Sequence, residues 1–185
     1  IKACIVTSST PAVLTKTRRY DEATGNIISE TQGNYPAGAL IQGHAENISI
    51  TSMKHLAAII DNAKTNQALI ASQHTAKTNT VKIYSTAAYE RAGSPEDSIT
   101  RTNKYFERPE QQQGLLVLDC DDQSVTKEDF FKKIKKVIPH LDDLAWLYKD
   151  SSSSYLYNNG ELVRGGAGKH LYIVVKDASD IPRAG

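Results

Sequence analysis

Cysteine is scarce in this chain, long apolar runs are absent, and the charges nearly cancel. Cys4 and Cys120 stand far apart and without metal-ligand spacing, so neither a disulfide framework nor a zinc site is implied. No stretch approaches the ~20 apolar residues of a membrane-spanning helix, and no signal peptide opens the chain. The expectation is therefore a cytoplasmic protein with no membrane partner. Lys and Arg number 22 against 21 Asp and Glu, a net charge of +1, so no global field draws the chain to a polyanion and any basic surface must be local.

What is present is a core-sized length and one concentrated motif. The 185 residues suffice for one domain, or one domain of two units, with a real core. The chain begins at Ile1 rather than Met and stops at Pro182-Arg183-Ala184-Gly185, and it reads as a piece of a longer protein. Its centre is Gly114-Leu115-Leu116-Val117-Leu118-Asp119-Cys120-Asp121-Asp122. Four apolar residues after a glycine read as a short strand buried on both faces. Three carboxylates in the next four positions cannot enter a core, so they mark the strand exit. Alternation puts Asp119 and Asp121 on one side, roughly 6–7 Å apart along the strand. Two carboxylates so placed repel unless a cation lies between them, and an oxygen-only pair suits Mg²⁺ or Mn²⁺. The alternative is an Asp-rich turn.

In chain order, residues 1–35 read as short strands or an arm with a local basic excess (Lys2, Lys16, Arg18, Arg19). Thr51 or Ser52 caps a helix carrying Met53, Leu56, Ala57, Ile60 and Ala63 on its apolar stripe and ending near Asn66, with His55 off that stripe. Strands follow at Ala68–Ala71 and Val81–Tyr84. Arg101 and Lys104, three apart, are placed on one helical face with Phe106 as an anchor; a structural salt bridge is the alternative. After the acidic strand, Thr126 and Asp129 form a capping box for a helix whose stripe is Phe130, Ile134, Val137, Ile138 and Leu141. Lys132, Lys133, Lys135 and Lys136 are its wet face, and His140 lies beyond Pro139 at its end. A strand at Leu144–Tyr148, the serine run Ser151–Ser154 and a hairpin turning on Asn158-Asn159-Gly160 come next.

The stretch Arg164-Gly165-Gly166-Ala167-Gly168-Lys169-His170 then enters a strand, Leu171–Val175. Glycines allow close backbone approach to phosphate oxygens, and the basic side chains supply charge. It is not a P-loop, which would need Gly at Val163, Ser or Thr at His170, and a helix afterwards. A flexible connector is the other reading.

Taken in order, these features resemble the archaeo-eukaryotic primase superfamily, and more narrowly the primase-polymerase domains of plasmid, phage and integrated-element replication proteins. The residues that carry the resemblance are Arg101–Phe106, Gly114–Asp121, Ser151–Ser154, and Arg164 through Tyr172 to Arg183. The resemblance implies an α+β fold in two parts: an N-terminal α/β unit, residues 1–113, and an RRM-like antiparallel-sheet unit, residues 114–185, truncated at its C-terminal end. Asp119 and Asp121 match the family's metal pair. Gly168-Lys169-His170 matches its nucleotide motif with glycine in place of a small hydroxyl residue. The third carboxylate has no match; Asp177 and Asp180 follow His170 too closely, which places it beyond Gly185.

The implied activity is metal-dependent nucleotidyl transfer from a (d)NTP to a primer on a single-stranded DNA template, with Mg²⁺ or Mn²⁺ at Asp119 and Asp121 and a helicase domain in the same parent chain. Asp119, Asp121 and His170 are the implied catalytic residues. His170 binds nucleotide with Lys169, Arg164, Arg101, Lys104 and Ser152. The alternative is a non-catalytic module that stacks single-stranded nucleic acid on Tyr155, Tyr157 or Tyr172. Initiator nucleases are disfavoured, because histidines 44, 55, 74, 140 and 170 form no His-x-His pair.

Overall fold

Residues 3–6, Ala-Cys-Ile-Val, form a strand covered on both faces, and the first half of the chain is built around it. The structure, a computed structural model, describes residues 1–9, 19–29, 40–122, 124–151, 154, 156–158, 160–164 and 168–184. After β1 (Lys2–Ser8) come the ribbon strands β2 (Arg19–Tyr20) and β3 (Ile27–Ser29), then β4 (Gln42–Ser49) and helix α1 (Met53–Asp61). They are followed by β5 (Gln67–Ile70), β6 (Gln73–His74), β7 (Thr80–Tyr84), α2 (Thr86–Arg91), β8 (Ser98–Thr100) and β9 (Phe106–Glu107). Five of these strands form one sheet in the order β5-β1-β4-β7-β8, antiparallel except for the β7–β8 pair.

Alternation along β1 splits the packing. Cys4 and Val6 join Ala45, Val81, Ile83 and Ile99 on one face. Ala3 joins Ile48, Leu69 and the α1 residue Leu56 on the other. Helix α1 starts where expected, with the Ser52 hydroxyl accepting from the His55 backbone N–H at 3.0 Å. It ends earlier than Asn66, because the Asn62 side chain donates to the Ala58 carbonyl at 2.7 Å and closes the last turn.

The second half holds β10 (Gly114–Cys120), α3 (Lys127–Val137), β11 (Trp146–Asp150), the hairpin β12 (Leu156–Asn158) and β13 (Glu161–Arg164), β14 (Lys169–Val175) and the short α4 (Ile181–Ala184). The fold is thus mixed α/β, with four short helices among the described residues. Gly160 sits at φ +87°, the left-handed conformation the hairpin turn requires. Strands β10 and β11 both pair antiparallel with β14, which lies between them. They therefore run parallel to each other and are joined by α3, a split β-α-β arrangement.

Helix α3 is capped by Thr126, which accepts from the Asp129 N–H and donates to its carboxylate. It lays Phe130, Phe131, Ile134 and Ile138 on Leu116, Leu118, Leu171 and Ile173. Val137 is a correction to the expected stripe: it is 82% exposed, and Phe131 takes the inward place against Trp146 and Tyr148. The other face of the sheet puts Leu115, Tyr172 and Leu147 against Ala3, Ile50 and Leu56 of the first half. Leu56 and Leu115 are fully buried there, each contributing roughly 1.5–3 kcal/mol. This shared core fixes the angle at which the outer end of the second sheet faces α1.

Candidate active site

Strand register brings the two principal motifs together. Asp119 lies opposite His170 in the β10–β14 ladder, and Lys149 lies opposite His170 in the β11–β14 ladder. These three side chains share the face that carries Leu115, Tyr172 and Leu147, one row beyond the buried part. His170 Nε2 is 3.1 Å from Asp119 Oδ1. Lys149 Nζ is 2.5 Å from Asp61 Oδ1 at the last residue of α1. A row of polar side chains, Asp119, His170, Lys149 and Asp61, thus crosses three strands and reaches the first half of the chain. Beneath it, the Tyr172 ring meets His170 edge-on at 6.2 Å. Burial, and after it the negative charge of Asp119, hold the Tyr172 phenol above its ordinary value.

Asp121 stands at the exit of β10, on the same side as Asp119. Among the described residues its carboxylate makes no hydrogen bond or ion pair. Its neighbour is Gly168: a Cβ there would lie 3.1 Å from Asp121 Oδ1 and 2.7 Å from Ser151 Oγ. The Ser151 N–H donates to the Gly168 carbonyl at 2.9 Å, and Ser154 Oγ donates to the same oxygen at 3.2 Å. The serine run therefore begins beside the carboxylate pair, and the missing side chain at 168 makes that approach possible. Asp122 is turned to other work: the Ser124 hydroxyl and N–H, then the charges of Lys133 and Lys169, keep its carboxyl below the usual range.

The remaining candidates are not gathered here. Lys169 alternates to the opposite face, is 4% exposed, and donates to the Asp122 carbonyl at 3.3 Å. Arg101 follows β8, and Lys104 lies in a 3₁₀ turn (Asn103–Tyr105) over the Tyr105 ring, 5.0 Å from its centroid. The expected shared helical face is therefore corrected to a strand end and a short turn. Among the described residues neither makes a hydrogen bond or ion pair with Asp119, Asp121 or His170. Ser152 lies outside the described residues, as does the side chain of Arg164. Asp177 and Asp180 sit past Val175, which pairs with Gly114 at the far end of the sheet. That is roughly 20 Å along β10 from Cys120; there Asp177 accepts from Ser179 and Asp180 pairs with Arg183. They cannot complete the Asp119–Asp121 pair. Tyr172 is 9% exposed, too deep to serve as a stacking platform, and the side chains of Tyr155 and Tyr157 lie outside the described residues.

Among the described residues no group of three or more His, Cys, Asp and Glu side chains is arranged to hold a metal. The donor set that is present, two carboxylates at one strand exit, fits a hard divalent cation that takes its other ligands from water and phosphate. A groove of about 520 Å³ lined by His44, Lys82, Tyr84, Glu96 and Asp97 holds none of the site residues.

Lys149 and Asp61 escaped the sequence reading. The signal for Lys149 was the alternation of Trp146 and Tyr148 against Leu147, which continues two residues past the expected strand. Comparison of the chain with protein-family models, with curated proteins and with solved structures finds no match.

Proposed function

We propose that the chain is the primase-polymerase domain of a mobile-element replication protein. It would transfer nucleotides from (d)NTPs to a primer 3′-hydroxyl on a single-stranded DNA template. In this reading β10, α3, β11 and β14 are an RRM-like catalytic unit, the five-stranded sheet with α1 is the N-terminal unit, and a helicase domain shares the parent chain. The observation that carries the reading is the 3.1 Å contact between His170 and Asp119. Two motifs distant in sequence, singled out for different reasons, meet on one sheet face with Asp121 beside them.

The reaction joins the primer 3′-oxygen to the α-phosphorus, its proton passing to solvent, and breaks the bond from that phosphorus to the α–β bridging oxygen, so that pyrophosphate leaves. A divalent cation held by Asp119 and Asp121 would supply charge neutralisation at the phosphates and a lowered pKa for the 3′-hydroxyl. The chain's own side chains bind and orient. His170 donates Nε2–H to a phosphate oxygen in place of Asp119, a charge-assisted contact when the imidazole is protonated. Tyr172 holds the ring edge-on, and the absence of a side chain at Gly168 lets Ser151 and Asp121 close in on it. The buried rows below exclude water from the floor of the site.

The test is primer extension with Mn²⁺ on a primed single-stranded template, in which Asp119→Ala and Asp121→Ala should each abolish the extension that the wild-type protein supports. Normal extension by Asp119→Ala would overturn the assignment.

A further inference from the structure

Lys149 combines three observations. It faces the site, being the cross-strand neighbour of His170 on the same sheet face. Its ammonium is held by Asp61 at 2.5 Å, and the pair is partly open to solvent, with the side chains 25% and 59% exposed. Its partner is oddly placed: Asp61 is the last residue of α1, whose final turn carries no basic residue. A carboxylate at a helix C-terminus is repelled by the helix dipole. A cation from outside relieves that repulsion, and Lys149 is the one that does so.

We infer that Lys149 is a second polyphosphate ligand of this site, held extended by Asp61 until a nucleoside triphosphate arrives. The inference rests on the function proposed above and adds a residue to it. Directly paired residues on one face of an antiparallel ladder have Cβ atoms roughly 4.5–5.5 Å apart. A four-carbon stem therefore lets Nζ reach either Asp61 or a phosphate bound at His170 without backbone movement. Lysine suits the role as a compact point charge with three rotatable donors. Phosphate entry exchanges one anionic partner for another. Asp61 is then a competitor for the same ammonium, and His170 makes the matching exchange from Asp119. Because Asp61 belongs to α1 and Lys149 to β11, nucleotide entry also releases a tether between the two halves of the chain.

A purely structural tether makes the opposite prediction for Asp61, and this separates the two roles. Inorganic tripolyphosphate with Mn²⁺ is titrated calorimetrically into wild type, Lys149→Ala, Lys149→Arg, Asp61→Asn and His170→Ala, with thermal melts run alongside. Lys149→Ala should weaken binding about tenfold, the scale of one charge-assisted hydrogen bond. Lys149→Arg should hold within about threefold of wild type, since it keeps charge and donors. Asp61→Asn should tighten binding by a few-fold, because the competitor is gone while the cation remains.

If His170→Ala weakens binding and Lys149→Ala does not, the role of Lys149 is refuted and the proposed function stands. If Asp61→Asn weakens binding in step with Lys149→Ala and both melt early, the pair is a tether only and the inference falls. If wild type binds no tripolyphosphate, or His170→Ala and Lys149→Ala both bind as wild type does, the phosphate site itself is refuted, and the inference with it.

Discussion

Placing a side chain at Gly168 tests how closely the two strand exits must approach. In Gly168→Ala the new Cβ would stand 2.7 Å from Ser151 Oγ, 2.9 Å from Ser151 Cβ and 3.1 Å from Asp121 Oδ1. The hydroxyl can rotate away, but Ser151 Cβ cannot, because its backbone N–H is bonded to the Gly168 carbonyl at 2.9 Å. Gly168 shows no positive φ, so the cost is overpacking rather than backbone strain, about 1–3 kcal/mol. At this chain length that corresponds to a fall in melting temperature of roughly 2–12 °C. Gly168→Ser, which restores the hydroxyl of the resembled motif, should cost at least as much. Ser151→Gly combined with Gly168→Ala should recover most of the loss, since it removes both of the closest atoms. Urea unfolding of the three variants reads the effect directly. A Gly168→Ala protein as stable as wild type would refute the packing argument, and a double variant no better than the single one would refute its attribution to Ser151.

Burial, opposed only in part by the Glu46 backbone, pushes the Cys4 thiol up to about 12. A thiolate reagent at pH 8 should therefore label Cys120 first and reach Cys4 only on unfolding. As Cys4 binds its proton more tightly in the fold than at its ordinary pKa of 9.0, its contribution to stability is present below pH 9. That contribution declines between about pH 9 and 12, and Cys4→Ala should flatten the decline in an alkaline denaturation series. Leu115→Ala should cost about 2–5 kcal/mol because Leu115 is fully buried between the halves, whereas Val137→Ala, at a position 82% exposed, should stay within about 0.5 kcal/mol; equal losses would contradict the assigned helix face. In an ultraviolet titration Tyr172 should ionise after the exposed tyrosines, and Asp119→Asn should bring its transition down by relieving the charge that adds to burial.

The acidic strand, α3 with its Thr126 cap, and the Asn-Gly hairpin were legible because each carries its own local signal: an apolar run, a capping box, a left-handed turn residue. Strand β1 was legible only as part of the short strands or arm read over residues 1–35, because no turn or capping signal marks its bounds there. Strand β4 hides for another reason: Gln42-Gly43-His44-Ala45-Glu46-Asn47 is polar to the eye, and its inward positions are small, Gly43 and Ala45. Helix α2, six residues capped by Ser85, is too short for a helical period to show. Strand β11 runs two residues beyond the Leu144–Tyr148 that the sequence predicts, and Lys149 lies in that extension. Asp119, Asp121 and His170 were found as types in a pattern, but the pairing of His170 with Asp119 is a matter of register, which single-strand periodicity does not contain. Lys169 shows the converse: beside His170 in sequence, it is on the other side of the sheet.

The cluster of Ala3, Ile50, Leu56, Leu115 and Tyr172 draws residues from both sides of position 113 and belongs to neither half. Neither sheet therefore has a complete interior of its own on that side. Heat or denaturant should melt the chain in one transition, with far-ultraviolet dichroism and Trp146 fluorescence changing together. Amides of β1, β10 and β14 should exchange only through that global opening, while those of the short ribbon β2–β3 exchange by local fraying. Cleaving the chain at 113 would expose an apolar face on each piece, so the seam that reads in sequence as a boundary is, for folding, the place where the molecule is least divisible.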